Sequence, residues 1–510
     1  MELWSFYFFA KLFLYYKEYI KFDVTYNLLF ALFLTIPIPE KIRFRGVIVT
    51  GRVALGIILA ISLLWHDSWL PPPTEGASFL MSQGIPSTEY IYSFLMRFYN
   101  PKVFMLIGAI FSFCWLANKF LKMSTLVLIC IMSLIPLKVF GEPNSQELTQ
   151  TVDAFFDSET TRVTRYEKPE AGHPDFDLVI LHVCSLAWAD MVDVGMDKDP
   201  FFRQFNYLFT NFNTVTTYSG PSVIRLLRGN CGQQRHGDIY SEAPRECYIL
   251  ETFSDVGFKN YVTLNHDGKY GSFAEEITNN HGRPGPMNLA GLPVQQNMFD
   301  NSPIYDDYFT LSRWWENRLV SGEKAAAVYY NTVTLHDGSH WVGQKEWWKG
   351  DRKAQYQEFL TKLFKDVTRF INLLSSSGRN VVVVFVPEHG MALKGSVIQA
   401  PGLRDIPLPP ITNTPVAIKL IGKQFNGEKV HQQVIDAPTS YLAITNIISR
   451  FVEKSPFTPE GMPGKTFTHT IPQTDYVAEN QSAMVVKSEM KHFFFGKEKK
   501  WIELSDYEIK

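Results

Sequence analysis

Glu388-His389-Gly390 stands directly behind the apolar run Val381-Val382-Val383-Val384-Phe385-Val386-Pro387. A carboxylate beside an imidazole offers oxygen and nitrogen donors side by side, a pair suited to a borderline metal such as zinc. A second candidate is Ser219, in Tyr218-Ser219-Gly220-Pro221-Ser222 ahead of the helical pattern Val223-Ile224-Arg225-Leu226-Leu227. Proline is favoured in a first helical turn, and the free amides of that turn bind anions such as phosphate. A hydroxyl at such a mouth has the geometry expected for attack on phosphorus. Alone, Ser219 would read as a helix cap, and Ser222, inside the first turn, as a hydroxyl bonded to the helix backbone. Cys184 is the third candidate. It ends the run Phe176-Asp177-Leu178-Val179-Ile180-Leu181-His182-Val183.

The elements that must position these groups are strands. An all-apolar run rich in β-branched residues, preceded by helical pattern from Asp351 to Leu374, reads as a strand buried on both faces of a parallel sheet. Open α/β sheets place their sites at the carboxyl ends of such strands. Phe176 to Val183 reads as the first strand of the domain and Asn213 to Thr217 as a second. Ala325 to Thr334 leads to His336, and Lys259 to Leu264 leads to Asn265-His266-Asp267-Gly268, whose alternative reading is an ordinary loop.

Composition averages over two unlike parts. The whole chain is 46% hydrophobic and 20% charged, with net charge −2. That balance gives no reason to propose nucleic acid, and no basic patch is interleaved with aromatics. The short basic segment Lys497 to Lys500 reads as a solvated turn between terminal strands. Up to about Phe140 the chain is apolar and aromatic-rich; beyond it the pattern is that of a soluble globule. Candidate membrane spans are Trp4 to Ile20, Val24 to Ile38, Val47 to Trp65, Val103 to Leu121 and Met123 to Phe140, measured against the roughly 20 apolar residues a crossing helix needs. The first carries Lys11, which would snorkel to the interface, and the second ends at Pro37 and Pro39. The first stretch lacks the basic start of a signal peptide.

Short loops holding Lys41, Arg43 and Arg45, and Lys119 and Lys122, contrast with a long loop holding Asp67, Glu75 and Glu89. Positive charge marks the cytoplasmic side, so everything after Phe140 is expected outside the cytoplasm. A polar linker, residues 141–174, begins Gly141-Glu142-Pro143-Asn144. Of five cysteines, Cys114 and Cys130 fall in apolar spans. Cys231 and Cys247 bracket a loop in a compartment that permits disulfides, where closure contributes roughly 3 kcal/mol. Cys184 is then left without a partner.

Taken in order, the apolar N-terminal part, the strand ending at Cys184, Thr217-Tyr218-Ser219-Gly220-Pro221, Leu335-His336-Asp337-Gly338, Val386-Pro387-Glu388-His389-Gly390 and Gly402-Leu403-Arg404-Asp405-Ile406-Pro407 resemble one family. It is the cellulose phosphoethanolamine transferases of enterobacterial cellulose biosynthesis operons, within the alkaline-phosphatase-like superfamily of zinc phosphotransferases. The resemblance runs the whole length and includes the Cys231/Cys247 pair. It implies a transmembrane helical bundle of about five spans (residues 1–140), the linker, and an α/β domain of alkaline-phosphatase/sulfatase type (175–510) with a mostly parallel sheet flanked by helices. It further implies one zinc ion held by Cys184, Ser219, Glu388 and His389, with Ser219 as nucleophile and Tyr218, His336 and Arg404 in the substrate site.

The implied donor is phosphatidylethanolamine and the implied acceptor a hydroxyl of nascent cellulose. The implied location is the bacterial inner membrane, with the catalytic domain in the periplasm beside the cellulose synthase complex. The residue types suit those roles. Metal coordination lowers the pKa of a hydroxyl, Arg404 offers a planar fork for phosphate oxygens, and His336 can carry protons between leaving and attacking oxygens. Transfer of phosphoethanolamine or glycerol phosphate to another envelope glycan would use the same core. A non-catalytic assembly subunit would have no need of four ligands together.

Overall fold

The computed structural model describes residues 2–41, 43–74, 87–135, 145–282, 289–425, 431–459, 467–505 and 509. Glu75, the expected boundary at Phe140, the end of the fifth expected span and the linker start 141–144 lie outside the described residues.

The N-terminal region is helical: Glu2–Tyr16, Val24–Thr35, Arg45–Asp67, Thr88–Met96, Pro101–Ala117 and Met123–Ser133. Among the described residues, only Arg45–Asp67, at 23 residues, is by itself long and apolar enough to cross a membrane, since 1.5 Å per residue gives it about 34 Å against a hydrocarbon core of about 30 Å. Thr88–Met96 and Pro101–Ala117 pass the same test only as a pair, and they are bent by 62°. Instead of about five spans, the described residues contain one such helix, or two if the bent pair counts as one. The first helix stops at Tyr16, where Glu18 takes a left-handed backbone. The second starts on the Asp23 cap and ends before Pro37.

Lys11 does not snorkel. It is 1% exposed and pairs with Asp67 Oδ2 at 2.6 Å, while Asn27 accepts from Lys11 at 2.9 Å and donates to the same carboxylate at 2.7 Å. Burying a lone charge among Phe8, Phe30 and Leu63 would be very costly. Pairing Lys11 with Asp67, from the end of the long helix, offsets that cost.

The large domain is built on a seven-stranded sheet. Its strands are β1 (Asp177–Val183), β2 (Tyr207–Asn213), β3 (Lys259–Leu264), β6 (Ala326–Thr332), β8 (Val381–Pro387), β9 (Asn413–Ile421) and β10 (Gln433–Ile435), in the order β10-β2-β9-β8-β1-β6-β3. The short strands β4 (Val294–Asn297), β5 (Pro303–Tyr305) and β7 (His340–Trp341) form a separate three-stranded sheet. All central pairings are parallel except those of β9, which runs antiparallel between β8 and β2.

Both faces of the central sheet are covered. Leu178, Ile180, Val382 and Val384 pack on one side with Val223, Phe253 and Ile444. Val179, Leu181, Val383 and Phe385 pack on the other with Trp315, Leu360 and Phe364. Every residue of β1 and β8 is buried, as the unbroken apolar run of β8 requires; the two polar residues of β1 are paired, Asp177 with Arg318 and His182 with Tyr329.

Two sequence boundaries move. The second strand is Tyr207–Asn213 rather than Asn213 to Thr217. Thr214 to Thr217 instead form a buried loop through Val215 at φ 68°, with Thr216 held by Asn480. The expected linker is ordered where described: Ser145–Glu159 is a helix whose Leu148, Val152 and Phe156 bury against Val477, Val486, Phe493 and Trp501. Those partners belong to a four-stranded antiparallel sheet, β11 (Val477–Glu479) to β14 (Trp501–Leu504), with β12 (Met484–Ser488) and β13 (Lys491–Phe495) between. The turn from β13 to β14 carries the basic segment, and it is not simply solvated. Lys497 Nζ donates to the carbonyls of Trp65, Ser68 and Leu70 at 3.2 to 3.3 Å, and Lys21 pairs with Glu498 at 2.6 Å. This turn binds the end of the long apolar helix to the large domain.

Candidate active site

Strand register assembles the first half of the site. Val183 pairs with Pro387, so the next residues, Cys184 and Glu388, leave the sheet side by side. Their amides are satisfied by neighbouring strands: Cys184 N donates to Thr332 O at 3.0 Å and Glu388 N to Val183 O at 2.8 Å. His389 is held by its carbonyl, which accepts from Leu186 N at 2.7 Å. One donor atom from each of Cys184, Glu388 and His389 lies within 4.8 Å of the others, and all three residues are buried.

Ser219 completes the cluster from the helix Ser219–Leu227, as its Pro221 first turn leads one to expect. Its Oγ lies 3.6 Å from Cys184 Sγ and 3.4 Å from His389 Nε2. Ser222, less than one helical turn further on, differs from Ser219 in the side of the helix it occupies. Ser219 is half-buried at the mouth, whereas Ser222 is fully buried. Ser222 does not bond its own helix. Its Oγ reaches Glu388 O at 3.2 Å, Tyr441 Oη at 3.0 Å and His182 Nε2 at 3.4 Å, because that side of the helix faces the strand ends.

Electrostatically, a protein-only pocket disfavours the charged forms of these groups. Burial, with the Glu388 carboxylate adding to it, pushes the Cys184 thiol up to about 12. Burial raises Glu388 to about 7. Burial and then the nearby Arg404 guanidinium hold His389 well below the usual imidazole value. Glu388 Oε2, fully buried, makes no hydrogen bond among the described residues and lies 3.6 Å from His389 Nε2. A buried carboxylate oxygen without a donor, facing a thiol and an imidazole, fits a cation: bound positive charge reverses each of these penalties. The donor set is one that zinc accepts.

The remaining expected residues surround this cluster. Arg404 Nη1 is 2.9 Å from His389 Nδ1, and the guanidinium lies 5.5 Å from the Tyr218 ring centroid. Asp405 does not pair with Arg404; its carboxylate accepts from Tyr218 Oη at 2.8 Å. Asn480 Nδ2 donates to the carbonyls of Arg404 and Asp405, both at 3.0 Å, fixing that segment. His336, following β6, has Nδ1 2.9 Å from Asp337 O. A carbonyl only accepts, so Nδ1 carries the proton and Nε2 the lone pair. Burial, and secondarily Arg404, bring His336 down to about 4, so it is neutral at pH 7.

Sequence reading missed Asn331. This residue on β6 donates from Nδ2 to Glu388 Oε1 at 2.5 Å and to His182 O at 3.1 Å, and its Oδ1 accepts from His266 Nε2 at 2.9 Å. His266 Nδ1 in turn accepts from Gly268 N at 3.2 Å. The Asn265-His266-Asp267-Gly268 loop therefore acts one layer behind the cluster. The change from the apolar run Ala326 to Tyr330 to an amide side chain at Asn331 was the available signal. Cys231 and Cys247 are joined in a disulfide, and Cys184 is free among the described cysteines.

Residues 4–136 match the family described as "Cellulose biosynthesis protein BcsG N-terminal domain", and residues 137–501 match the one described as "Cellulose biosynthesis protein BcsG C-terminal domain". The "Cellulose biosynthesis protein BcsG" of Escherichia coli (strain K12) is 33% identical over 96% of this chain and 94% of its own length. That of Salmonella typhimurium (strain LT2) is also 33% identical, over the same shares. Among solved structures, the C-terminal periplasmic domain of EcEptC from Escherichia coli is similar at TM-score 0.44 and 14% identity, covering 64% of this chain and 95% of that one. The integral membrane lipooligosaccharide phosphoethanolamine transferase A from Neisseria meningitidis is similar at TM-score 0.41 and 12% identity, covering 86% and 97%. Structural similarities this distant support no inference about activity. Matched along both of its parts and aligned over nearly its full length with two curated relatives, the chain belongs to the BcsG family of cellulose biosynthesis proteins.

Proposed function

We propose that this protein is an inner-membrane transferase that moves phosphoethanolamine from phosphatidylethanolamine to hydroxyls of nascent cellulose. The observation that carries this reading is the position of Ser219 Oγ, half-exposed at a helix mouth and 3.4 to 3.6 Å from two members of a buried Cys/Glu/His cluster. Cys184, Ser219, Glu388 and His389 would hold one zinc ion, which supplies a Lewis acid that lowers the serine pKa and offsets phosphate charge.

In the first half-reaction Ser219 Oγ bonds to the donor phosphorus, and the bond from phosphorus to the diacylglycerol oxygen breaks. The serine proton passes to that oxygen, giving diacylglycerol. In the second, a glucan hydroxyl attacks the same phosphorus, the bond to Ser219 breaks, and the hydroxyl proton returns to the serine. His336, neutral with its lone pair on Nε2, is the carrier for these protons. Arg404, stacked on Tyr218, presents N–H groups to the non-bridging oxygens, and the free amides of the Ser219 helix add to them. We further assign residues 175–510 to the periplasmic catalytic domain and residues 1–140 to the membrane part, with the cellulose synthase complex as neighbour. The family membership and the 23-residue apolar helix support that placement.

The test is intact mass analysis of the full chain incubated with phosphatidylethanolamine and no glucan. A phosphoethanolamine adduct on the peptide containing Ser219, discharged when cellulose oligomers are added, is the expected result. An adduct on another residue, or none, overturns the mechanism.

A further inference from the structure

The helix Thr88–Met96 lies in sequence between the N-terminal apolar helices, yet it packs on the active-site rim. Tyr90 joins the buried cluster of Cys184, Met298, Phe299 and Val333. Its ring is 5.0 Å from that of Phe299, and Phe299 stacks on His336 at 5.5 Å and 26°. A few residues on, Arg97 grips Asp337, the neighbour of His336, through Nη1 at 2.7 Å and Nη2 at 3.2 Å. Tyr90 Oη and Arg352 Nε add bonds to the same carboxylate at 3.1 Å each. Arg97 and Asp337 are both 8% exposed, so the pair is poorly screened by solvent.

Two glycines make the approach possible. A Cβ on Gly338 would stand 2.6 Å from the Tyr90 ring, and one on Gly402 would stand 2.1 Å from Arg97 Nη1. Gly402 opens the segment that carries Arg404. The opposite side of the helix and its exit expose Ile91, Tyr92, Leu95, Met96, Phe98 and Tyr99, a surface rich in the aromatics that settle at a membrane interface.

We propose that this juxtamembrane helix is a wall of the active site, with Arg97 the positioning residue that sets His336 through Asp337 while the exposed apolar side rests on the lipid surface. The site is then complete only when the N-terminal helices are seated on the large domain, which places donor headgroups beside Ser219. The catalytic part of this inference rests on the phosphoethanolamine-transfer reading; the positioning part does not.

Its test uses the full chain in nanodiscs containing phosphatidylethanolamine. Formation of the Ser219 adduct is followed at saturating donor, and amide hydrogen exchange is followed over residues 333–341. Arg97→Ala should slow adduct formation on the order of a hundredfold, the effect of a small misplacement of a reacting group, with the half-saturating donor concentration unchanged. Arg97→Lys should recover part of the rate. The Arg97→Ala/Asp337→Ala pair should be no slower than the slower single variant, as one coupled unit requires. Arg97→Ala and Tyr90→Ala should both speed exchange in the 333–341 segment. Unchanged exchange in Arg97→Ala, or additive losses in the pair, would overturn the proposal. A parent protein that forms no adduct would refute the transfer reading alone, leaving the exchange comparison to decide this one.

Discussion

Replacing Asn331 with alanine separates the cluster from the layer that orients it. Asn331 is fully buried and bridges three elements. It receives a hydrogen bond from His266 Nε2 at 2.9 Å and passes one to Glu388 Oε1 at 2.5 Å. The alanine variant leaves Glu388 free to rotate about its last torsions and strands the His266 N–H without an acceptor. Loss of a bond that orients a metal ligand costs about 10- to 100-fold in metal affinity, or roughly 1.4 to 2.7 kcal/mol. The buried N–H adds a loss of about 1–3 kcal/mol to the stability of the metal-free protein. Asn331→Asp should be the more damaging substitution, since beyond the loss of the donor, common to both variants, it sets a second carboxylate against Glu388. Zinc affinity is measured by competition with a chromophoric chelator, and stability by thermal unfolding after chelation. Affinity within twofold of the parent in Asn331→Ala, with normal stability, would show that Glu388 is not held by this residue and that the assignment of the cluster as a metal centre lacks its supporting layer.

Four further outcomes are expected. Ser219→Ala should abolish adduct formation and glucan modification with unfolding unchanged. Ser222→Ala should instead lower stability by about 1–3 kcal/mol, because Tyr441 Oη and the Glu388 carbonyl lose a buried partner; equal activity losses in both would refute the distinction. Replacing Cys231 and Cys247 together by serine should destabilise the large domain by about 3 kcal/mol, the figure for a loop near their separation of 16 residues, with zinc content unchanged; loss of zinc would tie the disulfide to the site. A reporter active only outside the cytoplasm should be active when fused after Phe140 and silent when fused within residues 39–46, following the loop charge bias, and the reverse pattern would refute the periplasmic placement.

What could be read directly from the chain was local. Seven consecutive apolar residues from Val381 to Pro387 can only be satisfied with both strand faces covered, and whatever follows such a strand emerges at the carboxyl end of the sheet. That reasoning located Glu388, His389 and Cys184, and the proline-led turn located Ser219. The helix Arg45–Asp67 was equally legible, because length and apolar content are properties of a segment alone. The same reasoning expected about five membrane spans, whereas among the described residues one helix, or two with the bent pair, is long and apolar enough to cross. Apolar stretches of 11 to 15 residues satisfy composition while falling short in length, and where they end depends on local turns and partners. It also read residues 145–159 as linker, because the apolar stripe of that helix gains its meaning only from the sheet built by residues 477–504.

Contacts between distant residues were decided by tertiary structure. Lys11 is tolerable in an apolar helix because Asp67, 56 residues on, meets it. Asn331 acquires its role from Glu388, 57 residues away, and Arg97 from Asp337 across 240. Periodicity and propensity describe how one segment meets an averaged environment. Charge pairing, hydrogen-bond direction and the choice between Ser219 and Ser222 depend on which particular atoms packing brings to within about 3 Å, and that distance is set by the whole fold.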